Sequence, residues 1–293
     1  MARRRKKLKS ANFVDVCINV FFAIVVAVSL IPMLHILALS VSDEYAVLTN
    51  PGRLFPDFTH MSIMPYVAVF RSTIIYSSLA ISFSIVILAT VINMAFTICC
   101  GFVLSNKELP GRNLMLYFVL FTILFGGGLI PTYLTVSSYG LVDTYLVLVL
   151  LGAVNGYNII FMKNFINGIP VSLSESAKIE GANVFQLLLY IIVPMSKPVI
   201  ATLSLFCAVG KWNDWSTAYI YIYNAKWLKP FQNVLQDIVV NPDTSNAYGL
   251  DLSEFGTAFQ NALIVISLIP VVVLYLLAQK HLVRGLFVGS VKE

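Results

Sequence analysis

Apolar residues in this 293-residue chain do not alternate with polar ones as in a half-buried strand or an amphipathic surface helix; they run on in long blocks. At a rise of about 1.5 Å per residue, about 20 consecutive apolar residues cross the ~30 Å hydrocarbon core of a bilayer as a helix. Six such blocks, bounded by charges, proline or asparagine, lie at 14–39, 73–104, 114–137, 143–163, 199–223 and 258–282. They predict an all-α polytopic membrane protein of six transmembrane helices, the second long enough to be tilted or to begin outside the bilayer. The segments between them are 40–72, 105–113, 138–142, 164–198 and 224–257. Six crossings leave both termini on one side. With no fixed-period repeat and no low-complexity tract, the chain reads as a single membrane domain over 1–293, with a terminal segment 1–13, a long loop 164–198 and a tail 283–293.

Composition agrees. The chain is 58% hydrophobic and only 11% charged, against about 25% charged in a typical globular protein, and its mean hydropathy is +0.85. Too few charges are available to coat a soluble particle, which excludes a cytosolic enzyme, a disordered protein and a fibrous repeat. The apolar run from Val16 to Leu39 is about 24 residues, far beyond the 7–15 of a signal-peptide core, so it is read as the first span. Cys17, Cys99, Cys100 and Cys207 all sit in apolar runs and read as small buried hydrophobes; neither a disulfide framework nor a paired metal site has anything to build on.

The net charge of +5 is a topology signal. Six of the nineteen basic residues fall in the first nine positions, directly ahead of an apolar block. This placement argues for membrane orientation and against nucleic acid as a partner. With the amino terminus cytoplasmic, the cytoplasmic segments hold fourteen Lys and Arg and the external ones five, as the positive-inside rule requires. Acidic residues run the other way, with Asp43, Glu44, Asp57, Asp143, Asp237, Asp243, Asp251 and Glu254 outside. The phosphate-binding loop, the His-Glu-x-x-His helix and the Gly-x-Ser-x-Gly elbow are all missing from the sequence, and the three histidines are scattered. No catalytic residue is assigned, and any energy source resides in another subunit.

The cytoplasmic loop 164–198, NFINGIPVSLSESAKIEGANVFQLLLYIIVPMSKP, carries structure. Ser172 and Glu175 have the spacing of a capping box. Gly181 supplies a permissive backbone for a bend. Val184 to Ile192 make a second short apolar helix, and Pro194 and Pro198 flank the start of the fifth span. A helix, a bend and a helix on the membrane surface suit docking against a soluble partner.

Within that loop, Glu175-Ser176-Ala177, three residues, Gly181, nine residues, Ile191, one residue and Val193-Pro194 closely resemble the Glu-Ala-Ala signature of binding-protein-dependent ABC importer permeases, Glu-Ala-Ala-x3-Gly-x9-Ile-x-Leu-Pro. Every spacing is kept, with Ser for the first Ala and Val for Leu. GGLIPTYLTVSSYGLVDT (127–144), KWNDW (211–215) and LLAQKHLVRGLFVGSVKE (276–293) extend the resemblance to the carbohydrate branch, and more narrowly to oligosaccharide and polysaccharide permeases similar to the six-helix subunit of the maltose transporter. The resemblance implies a heterodimer with a second permease, two ABC ATPase subunits that hold ATP and Mg, and an extracytoplasmic substrate-binding protein that delivers a carbohydrate; this chain binds no cofactor. It implies that the bent helix pair is a coupling helix seated in a cleft of the ATPase, with Glu175, Ser176, Ala177, Gly181 and Pro194 as its positions. It also implies that the tail, with Arg284, Gly285, Gly289 and Lys292, reaches between the ATPase subunits.

Lys211-Trp212-Asn213-Asp214-Trp215 is an anomaly inside a predicted span, because charges at membrane depth usually face a cavity or a partner. On a continuous helix Trp212, Trp215, Tyr219 and Tyr223 share about 80° of arc, with Lys211 and Asp214 paired at i, i+3 on a neighbouring strip. Such a strip is read as the lining of a translocation pathway for sugar rings, or as an interfacial aromatic belt. Gly126-Gly127-Gly128 before Pro131 predicts a broken or hinged third span, either an outer gate or the point where the helix leaves the membrane. The alternatives are an ABC permease for a non-sugar solute and an ATP-independent carrier or channel; the latter would need intramembrane acidic groups or histidines for a coupling ion, and Asp15 and Asp214 are its acidic candidates.

Overall fold

The computed structural model describes residues 13–52, 54–56, 58–240 and 256–287. Among these it is helical, with one isolated antiparallel bridge between Ser42 and Met61 and no strands. In chain order the helices are α1 (Phe13–Ser40), α2 (Glu44–Thr49), α3 (Met64–Arg71), α4 (Thr73–Ser105), α5 (Arg112–Leu124), α6 (Leu129–Ser138), α7 (Tyr145–Leu150), α8 (Gly156–Asn167) and α9 (Val171–Ile179). There follow α10 (Val184–Gln186), a π-helical turn (Leu187–Ile192), α11 (Val193–Met195), α12 (Lys197–Trp212), α13 (Ser216–Tyr221), a 3-10 turn (Lys226–Leu228), α14 (Phe231–Val240) and α15 (Gly256–Phe287).

Three helices are long and apolar enough to cross a membrane unbroken: Val14–Ser40, Thr73–Ser105 and Gly256–Gln279. They coincide with the first, second and sixth predicted blocks. The other three blocks are interrupted. α5 and α6 meet at 114° across Phe125–Gly128, where the glycine triplet predicted a break. The fourth block is divided into α7 and α8 by residues 151–155, with Gly152 in the left-handed region at φ 80°. The fifth stops at Trp212, and α12 turns at 78° to the preceding α10–α11 helix. Continuous helices over 114–137, 143–163 and 199–223 are therefore not formed.

Two compact units are present. In one, α1 runs into a corner built by α2, α3 and the start of α15. Ser40 and Tyr66 share a hydroxyl hydrogen bond of 2.8 Å, Asp43 caps α2 by accepting from the amide of Ala46 at 2.7 Å, and Leu39, Val47 and Ala258 form a small core. The most apolar stretch of α1 is not buried by any of the described residues.

The other unit is organised on α4. Its buried residues Ile75, Ser78, Ser82, Ile85, Ala89, Asn93, Thr97, Gly101 and Leu104 recur every three or four positions and so line one face. Many are small, as expected where helices in an apolar solvent gain their attraction from close van der Waals contact. α8, α12 and α14 pack along this helix. The tightest approach is at Gly101, where an added Cβ would stand 2.6 Å from Cγ of Met162 and 3.2 Å from the backbone nitrogen of Lys163. The last neighbour is backbone and cannot rotate away. A polar knot crosses the same interface: Asn93 donates to the carbonyl of Ala153 at 3.1 Å and accepts from Asn158 Nδ2 at 3.0 Å and from Thr97 at 3.3 Å.

Gly101→Ala is expected to destabilise the protein by about 1–3 kcal/mol through overpacking. Gly210→Ala, on α12 with open space around its Cβ, is expected to be neutral or slightly stabilising. Thermal unfolding of the two variants in detergent checks the contrast; equal behaviour would mean that α4 and α8 can separate freely.

Candidate coupling hairpin and translocation site

The hairpin of α9 and α10 is set by its backbone. At the end of α9 the amide of Gly181 bonds the carbonyl of Lys178 at 3.1 Å and that of Ala182 bonds Ala177 at 2.9 Å. This is the Schellman pattern, which needs a left-handed residue after the cap. Gly181 supplies it at φ 82°. Ala177, whose carbonyl accepts from Ala182, is buried under the hairpin with Met162, Ile166, Leu187 and Leu203. Asn183 then starts α10 with a reciprocal capping box to Gln186, at 2.8 and 2.9 Å. The predicted box at Ser172 and Glu175 is absent, because α9 already begins at Val171 behind Pro170 and no side chain caps it. The fixed φ of Pro170 starts the helix early enough to put Ser172 inside the first turn.

Glu175, Ser176 and Pro194 are exposed. The π turn lies immediately before Pro194, whose ring would clash with the carbonyl four residues back in a regular helix. Apolar side chains of the hairpin are uncovered by the described residues: Ile179 is 87% exposed, Phe185 75% and Tyr190 76%. A Cβ at Gly181 would meet no atom within 4 Å, so the need for glycine within this chain is conformational alone.

The Lys211–Trp215 segment lies at a helix break. α12 ends at Trp212, and Asp214 caps α13, accepting from the amide of Thr217 at 3.0 Å, its hydroxyl at 2.6 Å and the hydroxyl of Ser216 at 3.1 Å. The continuous aromatic strip is thereby split. Trp212 is 2% exposed, lies against Phe83 and Phe231, and donates its indole N–H to the carbonyl of Ser267 at 3.0 Å. Trp215 and Tyr219 remain accessible, at 40% and 61%, and meet edge to face with centroids 5.8 Å apart. Asn213 accepts from Gln232 at 3.4 Å. Lys211 Nζ lies 3.7 Å from Asp214 and donates to the carbonyls of Leu151 at 2.7 Å and Leu148 at 3.2 Å.

Two features escaped sequence reasoning. One is the knot at Asn93, signalled only by an asparagine in the middle of an apolar block. The other is Asp143, in the loop between α6 and α7, which adopts φ 57°, a strained region for a residue with a Cβ. Its carboxylate accepts from the amides of Tyr223, Asn224 and Ala225 at 2.6, 2.8 and 3.3 Å and from Asn224 Nδ2 at 2.9 Å. Loss of hydration would push this carboxyl up, but the amides of Asn224, Ala225 and Tyr223 outweigh it and hold the pKa below the ordinary carboxylate value. Of the tail, Arg284 and Gly285 fall on the backbone course of α15, and Gly289 and Lys292 lie outside the described residues, as do positions 1–12 and the external acids Asp57, Asp243, Asp251 and Glu254.

Three apolar helices long enough to cross a bilayer, and further apolar helices broken by polar caps, mark a membrane protein among the described residues. No protein-family model matches the chain. Known proteins place it more closely. The polygalacturonan/rhamnogalacturonan transport system permease protein YtcP of Bacillus subtilis is 38% identical over 286 residues, covering 95% of this chain and 98% of that protein. The crystal structure of a bacterial ABC transporter involved in the import of the acidic polysaccharide alginate contains a chain with TM-score 0.81 and 27% identity, covering 92% of this chain and 98% of that one. A second structure, of a bacterial alginate ABC transporter in complex with an alginate pentasaccharide-bound periplasmic protein, matches in fold alone, with TM-score 0.57 at 14% identity over 90% of this chain and 93% of that one. The chain belongs to the permease subunits of carbohydrate ABC importers. It is a multi-pass membrane protein with the permease fold of that family.

A carboxyl held low contributes stability at every pH above its ordinary range and loses it as pH falls through the depressed value. Asp143→Asn is therefore expected to lower the unfolding temperature near neutral pH, with the difference from the parent protein shrinking on acidification below the ordinary carboxylate range. Melting profiles across that pH range check it; a constant offset would exclude the ionised clamp.

Proposed function

We propose that this permease imports oligosaccharides or related complex carbohydrates by alternating access. It forms a single permease domain over 1–293 with six membrane crossings and both termini cytoplasmic. It pairs with a second permease as a heterodimer and sits on two ABC ATPase subunits, which hold the ATP and Mg; it catalyses nothing itself. An extracytoplasmic binding protein delivers the sugar; the alginate transporter is known in complex with an alginate pentasaccharide-bound periplasmic protein. ATP binding closes the ATPase pair and draws the coupling hairpin with it, and the differential affinity of ATP for the two states supplies the shift.

The observation that carries this reading is the hairpin: a rigid turn at Gly181, closed by its own backbone, with Glu175 and Ser176 exposed and Ile179, Phe185 and Tyr190 uncovered beside them. An ATPase cleft is the partner assigned to it, with the tail from Arg284 to Lys292 as a second contact. For the sugar pathway, Trp215 and Tyr219 offer accessible ring faces, Asn213 and Asp214 offer polar edges, and Lys211 and Trp212 hold the break behind them.

The first test is to tag the chain, extract it from its native membrane in mild detergent and identify its stoichiometric companions. A second permease and an ATPase are expected; the chain alone, after crosslinking as well, would favour a self-sufficient carrier. Gly181→Asp meets no neighbour among the described residues and Asp tolerates the left-handed turn better than most side chains, so the protein should stay folded while ATP-driven uptake or ATPase retention is abolished. Trp215→Ala with Tyr219→Ala should lower uptake without lowering assembly. Unchanged uptake in the latter would mark those rings as an interfacial belt.

A further inference from the structure

We propose that Lys211 is a positioning residue of the transport cycle, a clasp that closes the polypeptide from α8 to α12 into one lever. The proposal rests on the importer reading for its function but on geometry for its construction. Leu148 lies in the last turn of α7 and Leu151 is its cap, so their carbonyls are among those that a helix end leaves without intrahelical partners, at the negative pole of the helix dipole. The ammonium of Lys211 meets both, at 3.2 and 2.7 Å, from a position sixty residues beyond Leu151. Between the two bonded residues the chain runs through α8, the coupling hairpin and α12 and returns to its starting point.

The loop so closed has the hairpin at one end and Lys211 at the other, and both of its long arms pack on α4. A displacement imposed on the hairpin then reaches the break at 213–215, where Asp214 holds Lys211 on one side and caps α13 on the other. The cavity at this point, lined by Ser82, Leu148, Lys211, Asp214, Thr217 and Pro230, measures about 10 Å³. That is room for about one water, and a sugar ring does not fit. With its side chain only 12% exposed and its donors directed at two carbonyls and a carboxylate, Lys211 is spent on the protein itself. It tunes how faithfully hairpin motion becomes pathway motion.

The test uses the whole complex reconstituted in liposomes, reading sugar moved per ATP hydrolysed. Lys211→Met keeps length and loses the donors; an assembled complex is expected to hydrolyse ATP but to move about fivefold less sugar per ATP, a size usual for residues that carry coupling. Lys211→Arg, which can donate to both carbonyls, is expected to restore most of the ratio. An assembled Lys211→Met complex with the parent ratio overturns the proposal, and so does a loss that Arg fails to rescue. If the Met variant does not assemble, spin labels at Val154→Cys and Gly210→Cys with Lys211 intact decide instead. One distance with and without ATP supports a rigid lever; two distances overturn it. Failure of the unaltered complex to couple ATP to uptake would strike the importer reading, while the label distances would still judge the clasp.

Discussion

Lipid offers a broken helix no hydrogen bonds, so each backbone group that a break releases must be met by the protein or by water held in a cavity. This constraint explains where the chain spends its few polar side chains. Between α7 and α8, the carbonyls of Leu148 and Leu151 go to Lys211, and those of Gly152 and Ala153 lie 3.5 and 3.1 Å from Asn93. Between α12 and α13 the carboxylate of Asp214 serves the first turn of the new helix. Outside the spans, Asp143 does the same for the amides of 223–225. An apolar chain with 11% charged residues interrupts its fourth and fifth helical blocks where these groups sit to meet the released backbone.

The partners of each break are distant in sequence, and this distance ties the unit together. α4 supplies the common surface with small residues, Asn93 pins the start of α8 to it, and Lys211 pins the end of α12 to the end of α7. Regular helix packing alone would leave sliding along α4 inexpensive, since apolar side chains meet lipid tails and each other about equally well. Polar bonds across the interface set the register. The assembly is thus a stack of short helical pieces locked at defined heights.

Much of this was legible in the sequence where a single physical rule governs the outcome. The unbroken helices α1, α4 and α15 follow from uninterrupted apolar runs, and the bend after α5 from three consecutive glycines. The bend at Gly181 was legible too, since glycine there supplies the left-handed residue that closes α9. The break after Leu150 went unread because 145–154 is apolar throughout; the signals were Gly152, which adopts φ 80°, and Asn155, which caps α8. Asp214 was taken for a charge on a helix face when it is the cap of the next helix, and Ser172 for a cap when Pro170 had already begun α9. The partners of Lys211 could not be read at all: they are carbonyls, which every residue carries, so no side-chain code marks them.

The coupling hairpin is fully formed from its own atoms. Its turn is closed by backbone bonds at Gly181 and Ala182, its second helix is started by Asn183 and Gln186, and Ala177 and Leu187 anchor it from beneath. A partner that binds it has no loop to order, so the entropic toll that burdens association with a mobile segment is largely absent. Contact can therefore be modest in area and still form and dissolve quickly. Such an element can be engaged and released repeatedly without folding or unfolding at each encounter.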